Sequence, residues 1–135
     1  MPRTLREIVS ERAQGHCEYC QLSPAMVSSP FQLDHVRAEK HHGPTALANL
    51  AWACFRCNSY KGPNVAGYDP DTESLDRLFN PRIDDWDEHY FWDGPLLVGQ
   101  TAIGRTTIEV LRINLDDRVL HRQSLIEAGL FPAKT

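Results

Sequence analysis

Two cysteine pairs enclose the residues of this sequence whose types and spacing best suit chemistry. Cys17 and Cys20 form one Cys-x-x-Cys pair, and Cys54 and Cys57 form a second. Two intervening residues let one tight turn direct both sulfurs at a single ion, and four thiolates match the tetrahedral coordination of zinc. The spacing therefore predicts a structural zinc site that has no open coordination position.

Disulfides, idle thiols or a redox dithiol are the alternative interpretations of the four cysteines. Disulfides suit a secreted chain, but the N-terminal stretch MPRTLREIVSER carries charges where a secretion signal requires an apolar segment. Neither pair has the strand–helix context of a thioredoxin-like site. No apolar run approaches the roughly 20 residues of a membrane helix. We therefore expect a cytoplasmic zinc protein with no membrane partner.

The segment between and just beyond the cysteine pairs carries Asp34, His35, Asn49 and Asn58. Asp34 and Asn58 offer hard oxygen ligands, which Mg²⁺ and Mn²⁺ prefer. His35 carries an imidazole that can accept a proton near neutral pH. Each residue alone has an ordinary interpretation as a turn or helix cap, but the combination predicts an open catalytic metal site. Because neighbours on a strand point to opposite faces, Asp34 and His35 can share that site only if the strand ends or bulges there.

The elements needed to position these residues can be read along the chain. Thr4 and Glu7 have the spacing of a capping box at the start of a helix that Gly15 ends. FQLDHV (31–36) has strand character, and NSYKG (58–62) predicts a short helix. The stretch 64–82 is rich in turn residues. Beyond it, residues 85–101 predict a β-hairpin, and residues 104–114 and 116–128 predict two helices, the first capped by Thr106 and the second with Val119, Leu120 and Ile126 inward.

These elements predict an α+β fold with one domain over residues 1–135. The chemistry-bearing core spans 12–62, and a C-terminal extension of a β-hairpin plus two helices spans 63–135 and packs on it. The formal net charge is −4, and the acidity is concentrated in residues 63–93, which hold two Lys/Arg against nine Asp/Glu. Residues 1–62 hold seven Lys/Arg against five Asp/Glu. Near the core, Lys61, Arg56 and Arg37 are candidate phosphate contacts, although each also has the interpretation of a solvated surface charge.

The order and spacing of the motif residues resemble the HNH endonucleases that have a ββα-metal finger, in the subgroup with a four-cysteine zinc frame. Cys17 and Cys20, LDH at 33–35, NL at 49–50 and CFRCNSYKG at 54–62 carry the resemblance. The remainder of the chain resembles a group of small uncharacterised bacterial HNH proteins, so we expect a bacterial or phage origin.

The resemblance implies a role for each motif residue. His35 matches the general base that activates water, and Asp34 and Asn58 match the ligands of a catalytic Mg²⁺ or Mn²⁺ ion. Asn49 matches the middle asparagine that holds the active-site loop and the base. Asn58 takes the last motif position, where the family has His or Asn, and this departure from a literal H-N-H pattern concerns metal preference. The implied activity is metal-dependent hydrolysis of DNA, leaving a 5′-phosphate and a 3′-hydroxyl. The alternative is a non-catalytic zinc module that binds nucleic acid or protein, and the oligomeric state stays open.

Overall fold

A computed structural model describes residues 2–132. The α-helices in this range are α1 Leu5–Arg12, α2 Phe55–Lys61, α3 Trp86–His89, α4 Ala102–Val110 and α5 Asp116–Glu127, and short 3-10 turns lie at Pro24–Met26, Glu39–His41 and Leu47–Asn49. The strands are β1 Gln32–His35, β2 Leu50–Ala53, β3 Ala66–Tyr68, β4 Leu75–Arg77, β5 Tyr90–Asp93 and β6 Leu96–Gly99. They pair as three antiparallel two-stranded sheets, β1–β2, β3–β4 and β5–β6. This confirms the predicted α+β class.

Strands β1 and β2 and helix α2 form the ββα unit that the motif residues predict. Asp34 pairs with Ala51 and His35 with Leu50. All four residues of β2 are buried, because the apolar stretch LAWA is covered on both faces. The Cys54 sulfur accepts a bond from the Cys57 amide at the start of α2, and Gly62, at φ 50°, ends the helix.

Helix α1 leads the chain into the first cysteine pair. The Thr4 hydroxyl accepts a hydrogen bond from the Glu7 amide at 3.1 Å, which confirms the predicted N-cap. Val9 is fully buried, and the Arg12 guanidinium donates to the carbonyls of Leu47 and Leu50 at 2.9 and 2.5 Å. These contacts tie the end of α1 to the start of β2.

The C-terminal extension contains the predicted hairpin, β5–β6, but this hairpin begins at Tyr90, because Trp86–His89, within the predicted range 85–101, forms helix α3. The turn-rich stretch 64–82 includes the β3–β4 hairpin, which was not predicted. Helix α4 begins at Ala102 with Thr101 as its N-cap, not at Thr106, because the Thr101 hydroxyl accepts from the Gly104 amide at 3.0 Å. None of the helices within residues 2–132 is long and apolar enough to cross a bilayer.

Helix α5 follows its apolar pattern only in part: Ile126 packs against the core as predicted, and Val119 is half-buried. Leu120, expected to face the core, is 67% exposed. The buried residues of α5 are Arg118 and Arg122. A hydrogen bond joins the extension to the first cysteine pair: the Trp86 indole donates to the carbonyl of Tyr19, which lies between Cys17 and Cys20, at 3.0 Å.

Candidate active site and zinc centre

The four cysteines lie together in the core. Their sulfurs are within 4.8 Å of one another, and all four residues are buried free thiols. The sulfurs of Cys20 and Cys54 are 3.6 Å apart, close to the about 3.8 Å that tetrahedral Zn–S bonds of about 2.3 Å require. Burial raises the pKa of Cys17 well above its ordinary value, and the neighbouring thiols raise it further. The predicted clustering is confirmed, and the donor set and spacing fit one zinc ion.

Local backbone geometry brings the two pairs together. The amides of Cys20 and Cys57 each donate to the sulfur three residues earlier, at 3.4 Å, so both pairs form the same tight turn. Glu18 in the first turn exchanges two bonds with Trp52: its amide donates to the Trp52 carbonyl, and its carboxylate accepts from the Trp52 amide, both at 2.8 Å. Because Trp52 lies in β2, which leads directly into Cys54, this link fixes one turn against the other.

His35 is the last residue of β1, and its side chain faces the loop of residues 36–45. Its Nε2 atom lies 2.8 Å from the Thr45 hydroxyl and 3.8 Å from a Glu39 carboxylate oxygen. The side chain is 21% exposed. Nδ1 has no hydrogen-bond partner within residues 2–132. If Nε2–H donates to Thr45, Nδ1 carries the free lone pair and can accept a proton.

Asn49 holds both sides of the loop that faces His35. Its Oδ1 accepts from the Arg37 amide at 2.9 Å, and its Nδ2 donates to the carbonyls of Arg37 and Pro44 at 3.0 and 2.8 Å. Gly43 completes this closure, because a Cβ there would lie 1.7 Å from the Arg37 carbonyl oxygen. The buried amide of Asn49 thereby fixes the path of the loop.

Asp34 lies on the opposite face of β1 from His35, under α2. Its carboxylate is almost fully buried and accepts from the Tyr19 hydroxyl at 2.6 Å and from the Lys61 ammonium at 3.2 Å. Burial raises the pKa of Asp34, while Lys61 and Tyr19 oppose that rise. The β1–β2 register runs without interruption through His35. The strand neither ends before His35 nor bulges there, so the side chains of Asp34 and His35 point to opposite faces of β1.

Comparison with known proteins identifies the segment that holds this arrangement. Residues 17–64 match the family model described as HNH endonuclease. These residues form an HNH domain. The matched segment is close to residues 12–62, the range that the sequence predicts for the HNH core. The chain is also similar to the Septu protein PtuB of Bacillus thuringiensis, with 26% identity over 118 residues that cover 86% of this chain and 43% of the relative. The chain thus spans less than half the length of that relative. No solved structure matches the present chain.

Lys61, at the end of α2 in the HNH domain, was expected to contact phosphate, and the structure corrects this. Its side chain is 1% exposed. Its ammonium donates to Asp34 and to the carbonyls of His35 and Val36, at 3.2, 3.0 and 3.1 Å. Three acceptors use all three of its protons. Lys61 is therefore a buried structural cation that joins α2 to β1.

The other two predicted phosphate contacts lie at the surface of the HNH domain. Arg56 is 40% exposed in its side chain and forms an ion pair of 2.7 Å with Asp117. Arg37 is exposed, and its Nε donates to the His41 carbonyl at 2.6 Å. Both guanidinium groups can be reached by a phosphate, but Asp117 offsets the charge of Arg56.

Asn58 lies on α2, three residues before Lys61 and therefore on the same face of the helix. It is half-buried, and its side-chain amide makes no hydrogen bond within the described part of the chain. Its amide oxygen is therefore available as a ligand, unlike the carboxylate of Asp34.

Three residues of the site were missed by sequence reasoning. Thr45 binds the imidazole of His35, Tyr19 binds Asp34, and Arg118 donates to the Cys57 sulfur at 3.1 Å. No sequence motif relates Thr45 to His35 or Tyr19 to Asp34, so neither residue could be recognised from its position in the sequence. Arg118 comes from the extension, 61 residues from its sulfur partner, so no local pattern marks it.

Proposed function

We propose that this protein is an endonuclease that hydrolyses phosphodiester bonds in DNA, with His35 as its general base. The observation that carries the proposal is the arrangement of His35 within an HNH domain. One nitrogen of its partly exposed imidazole is held by Thr45, while the other is free toward solvent. An imidazole oriented through one nitrogen is suited to remove a proton with the other.

In the proposed reaction, Nδ1 of His35 takes the proton of a water molecule as the water attacks the phosphorus. The bond to the leaving 3′-oxygen breaks and this oxygen takes a proton from solvent water, so the products carry a 5′-phosphate and a 3′-hydroxyl. Thr45 keeps the ring oriented, and the Glu39 carboxylate at 3.8 Å stabilises the imidazolium that forms. Asn49 keeps the loop that carries Thr45 in place.

A catalytic Mg²⁺ or Mn²⁺ ion, held by Asp34 and Asn58, is part of the proposal. When bound, such an ion would supply positive charge at the phosphate and the leaving oxygen. A carboxylate and an amide oxygen fit it in chemical type. The arrangement fits less well, because Asp34 lies on the opposite face of β1 from His35 and its carboxylate already accepts from Lys61 and Tyr19. An ion at Asp34 has to share this carboxylate with the Lys61 ammonium or displace it.

We further propose that Cys17, Cys20, Cys54 and Cys57 hold one structural Zn²⁺. Such sites contribute on the order of 10 kcal/mol to folding in small peptides. Four free thiols close together, with no disulfide among them, also fit a reducing compartment. A cytoplasmic location in a bacterium or phage-infected cell is therefore included in the proposal.

A zinc module that binds nucleic acid or protein without cleaving it is the second candidate. The charge distribution favours it, because residues 63–93 hold nine Asp/Glu against two Lys/Arg and Asp117 offsets Arg56. A weak positive field gives little general attraction to phosphate, so it favours the form of this module that binds protein.

Cleavage of supercoiled plasmid separates the two candidates. The zinc-loaded protein is incubated with plasmid in Mg²⁺ or Mn²⁺, beside a His35→Ala protein purified identically. We expect nicked or linear plasmid with the natural protein only. Salt-dependent binding of the plasmid without nicking under either ion would support the binding module instead, and equal nicking by both proteins would count against His35 as the general base.

A further inference from the structure

The buried charges of the described residues form ion pairs, with two exceptions. Asp34 pairs with Lys61, and Asp69 pairs with Arg105 at 2.8 Å. Arg118 and Arg122 are 4% and 0% exposed, yet neither has a carboxylate oxygen within 4.0 Å among residues 2–132. A buried cation without a counter-charge destabilises the folded state. These two guanidinium groups therefore need compensation from groups other than carboxylates.

The contacts of Arg118 point to the cysteine cluster as the source of that compensation. Its Nη2 donates to the Cys57 sulfur at 3.1 Å. Its Nη1 donates to the carbonyls of Leu111 and Arg112 at 2.9 and 3.2 Å, beyond the end of α4. Since the two carbonyls are neutral, the sulfur is its one contact that can carry charge.

Arg122 lies one helical turn after Arg118, on the same face of α5. Its Nε donates to the Pro95 carbonyl at 2.8 Å and its Nη2 to Asn114 Oδ1 at 3.0 Å, while Nη1 has no partner in the described range. Burial lowers the pKa of Arg122 to about 10, and Cys20 acts in the opposite direction. The guanidinium carbon of Arg122 lies 5.2 Å from the centre of the Trp92 ring, so an aromatic face contributes to holding this charge in the core.

Zn²⁺ with four thiolates carries a formal charge of −2, so its sulfurs supply the negative partner that the buried Arg118 guanidinium lacks elsewhere. We propose that Arg118 is a counter-charge of a zinc tetrathiolate, and that it joins helix α5 to the metal centre. The inference rests on the proposed structural zinc but not on the nuclease activity.

This arrangement couples the HNH domain to the extension. Arg118 joins the Cys57 turn, the residues after α4 and helix α5 through one side chain. Outer-shell partners of metal ligands typically change metal affinity by about 10- to 100-fold when they are removed. We therefore expect loss of the Arg118 charge to weaken zinc binding by about that factor.

Three variants of the full chain test the proposal. Arg118→Lys keeps the charge, Arg118→Met keeps an apolar stem without charge, and Arg112→Gln removes an exposed positive charge six residues away. Zinc affinity is measured by competition with a chelator of known affinity. The thiolate-to-metal absorption band of the Co²⁺-substituted protein reports directly on hydrogen bonding to the sulfurs.

The proposal predicts that Arg118→Met binds zinc at least tenfold more weakly than Arg118→Lys and shifts the Co²⁺ band, while Arg112→Gln matches the natural protein. Folding of Arg118→Lys together with failure of Arg118→Met to fold supports it equally. Equal behaviour of the Lys and Met variants, including failure of both to fold, overturns it. If the natural protein binds no zinc, the structural zinc itself is refuted, whatever the plasmid assay shows.

Discussion

At the scale of single residues, the alternation of a β-strand gives adjacent side chains separate environments. His35 faces the 36–45 loop and is partly exposed, whereas Asp34 is buried with Lys61 and Tyr19. The ammonium of Lys61 also donates hydrogen bonds to the carbonyls of His35 and Val36. A buried ion pair on the opposite face of β1 therefore stabilises the strand that carries the proposed base.

Replacing Lys61 with Met tests this role. The change leaves Asp34 buried without a cation, and breaking a buried pair in this way typically costs about 3–5 kcal/mol. We expect a loss of that order in the free energy of unfolding at neutral pH, measured with denaturant on zinc-loaded protein. The exposed Lys40→Met variant is the control and should change it by less than about 0.5 kcal/mol.

The pH dependence of the same loss gives a second check. Burial raises the pKa of Asp34, and an acid whose pKa is raised on folding contributes stability below its unfolded pKa that is lost as pH rises through the folded one. Without Lys61 this effect should grow, since protonated Asp34 needs no counter-charge. The destabilisation by Lys61→Met should therefore shrink in acid. A loss below about 1 kcal/mol at neutral pH would show that Lys61 is not a structural cation.

At the scale of elements, the loop between β1 and β2 depends on one buried amide. Asn49 bonds to Arg37 twice and to Pro44 once. Asn49→Ala removes all three bonds and leaves partly buried backbone groups unpaired, at about 1–3 kcal/mol for each such group.

We expect Asn49→Ala to raise the hydrogen-exchange rate of the Arg37 amide. It should also lower nuclease activity, because the loop would no longer hold Thr45 against the imidazole of His35. Asn49→Asp keeps the acceptor for the Arg37 amide and should retain more protection at that amide than Asn49→Ala does. Unchanged exchange at Arg37 in Asn49→Ala would contradict the role assigned to this side chain.

The sequence was informative where chemistry or caps depend on nearby residues. The four-cysteine cluster, the Thr4 cap and the β5–β6 hairpin follow from local spacing, and the ββα order follows from the resemblance to HNH endonucleases. The cap of α4 was placed wrongly because Thr106 and Glu109 fit the capping-box pattern, whereas Thr101 lacks a Glu or Gln three residues later. The β3–β4 hairpin was missed because its strands are three residues long and Tyr68 and Leu75 are 65% and 64% exposed, so no alternating pattern marks them.

The inward face of α5 was not predictable from the helix alone. Hydrophobic periodicity places apolar residues inside, but Arg118 is buried because it reaches a sulfur 61 residues earlier. The pairing of Lys61 with Asp34 is non-local in the same way. Spacing can identify the donors of a site, but whether a charged side chain is buried depends on partners that the fold brings from elsewhere.

At the scale of the whole molecule, the cysteine cluster lies where the parts of the chain meet. The first cysteine turn packs against β2 through Glu18 and Trp52, and against the extension through Tyr19 and Trp86. The second turn bonds to Arg118 of α5. A metal at this point would stabilise both the ββα unit that carries His35 and the extension packed on it.

The most direct test of the proposed function is the single-turnover cleavage rate of an end-labelled DNA duplex by zinc-loaded protein in Mg²⁺ or Mn²⁺. General-base catalysis typically contributes about 10²- to 10⁴-fold. We predict that His35→Ala cleaves slower by that factor while retaining zinc and fold, and that the exposed neighbour His41→Ala cleaves at the natural rate. A His35→Ala protein that cleaves as fast as the natural one would contradict the account.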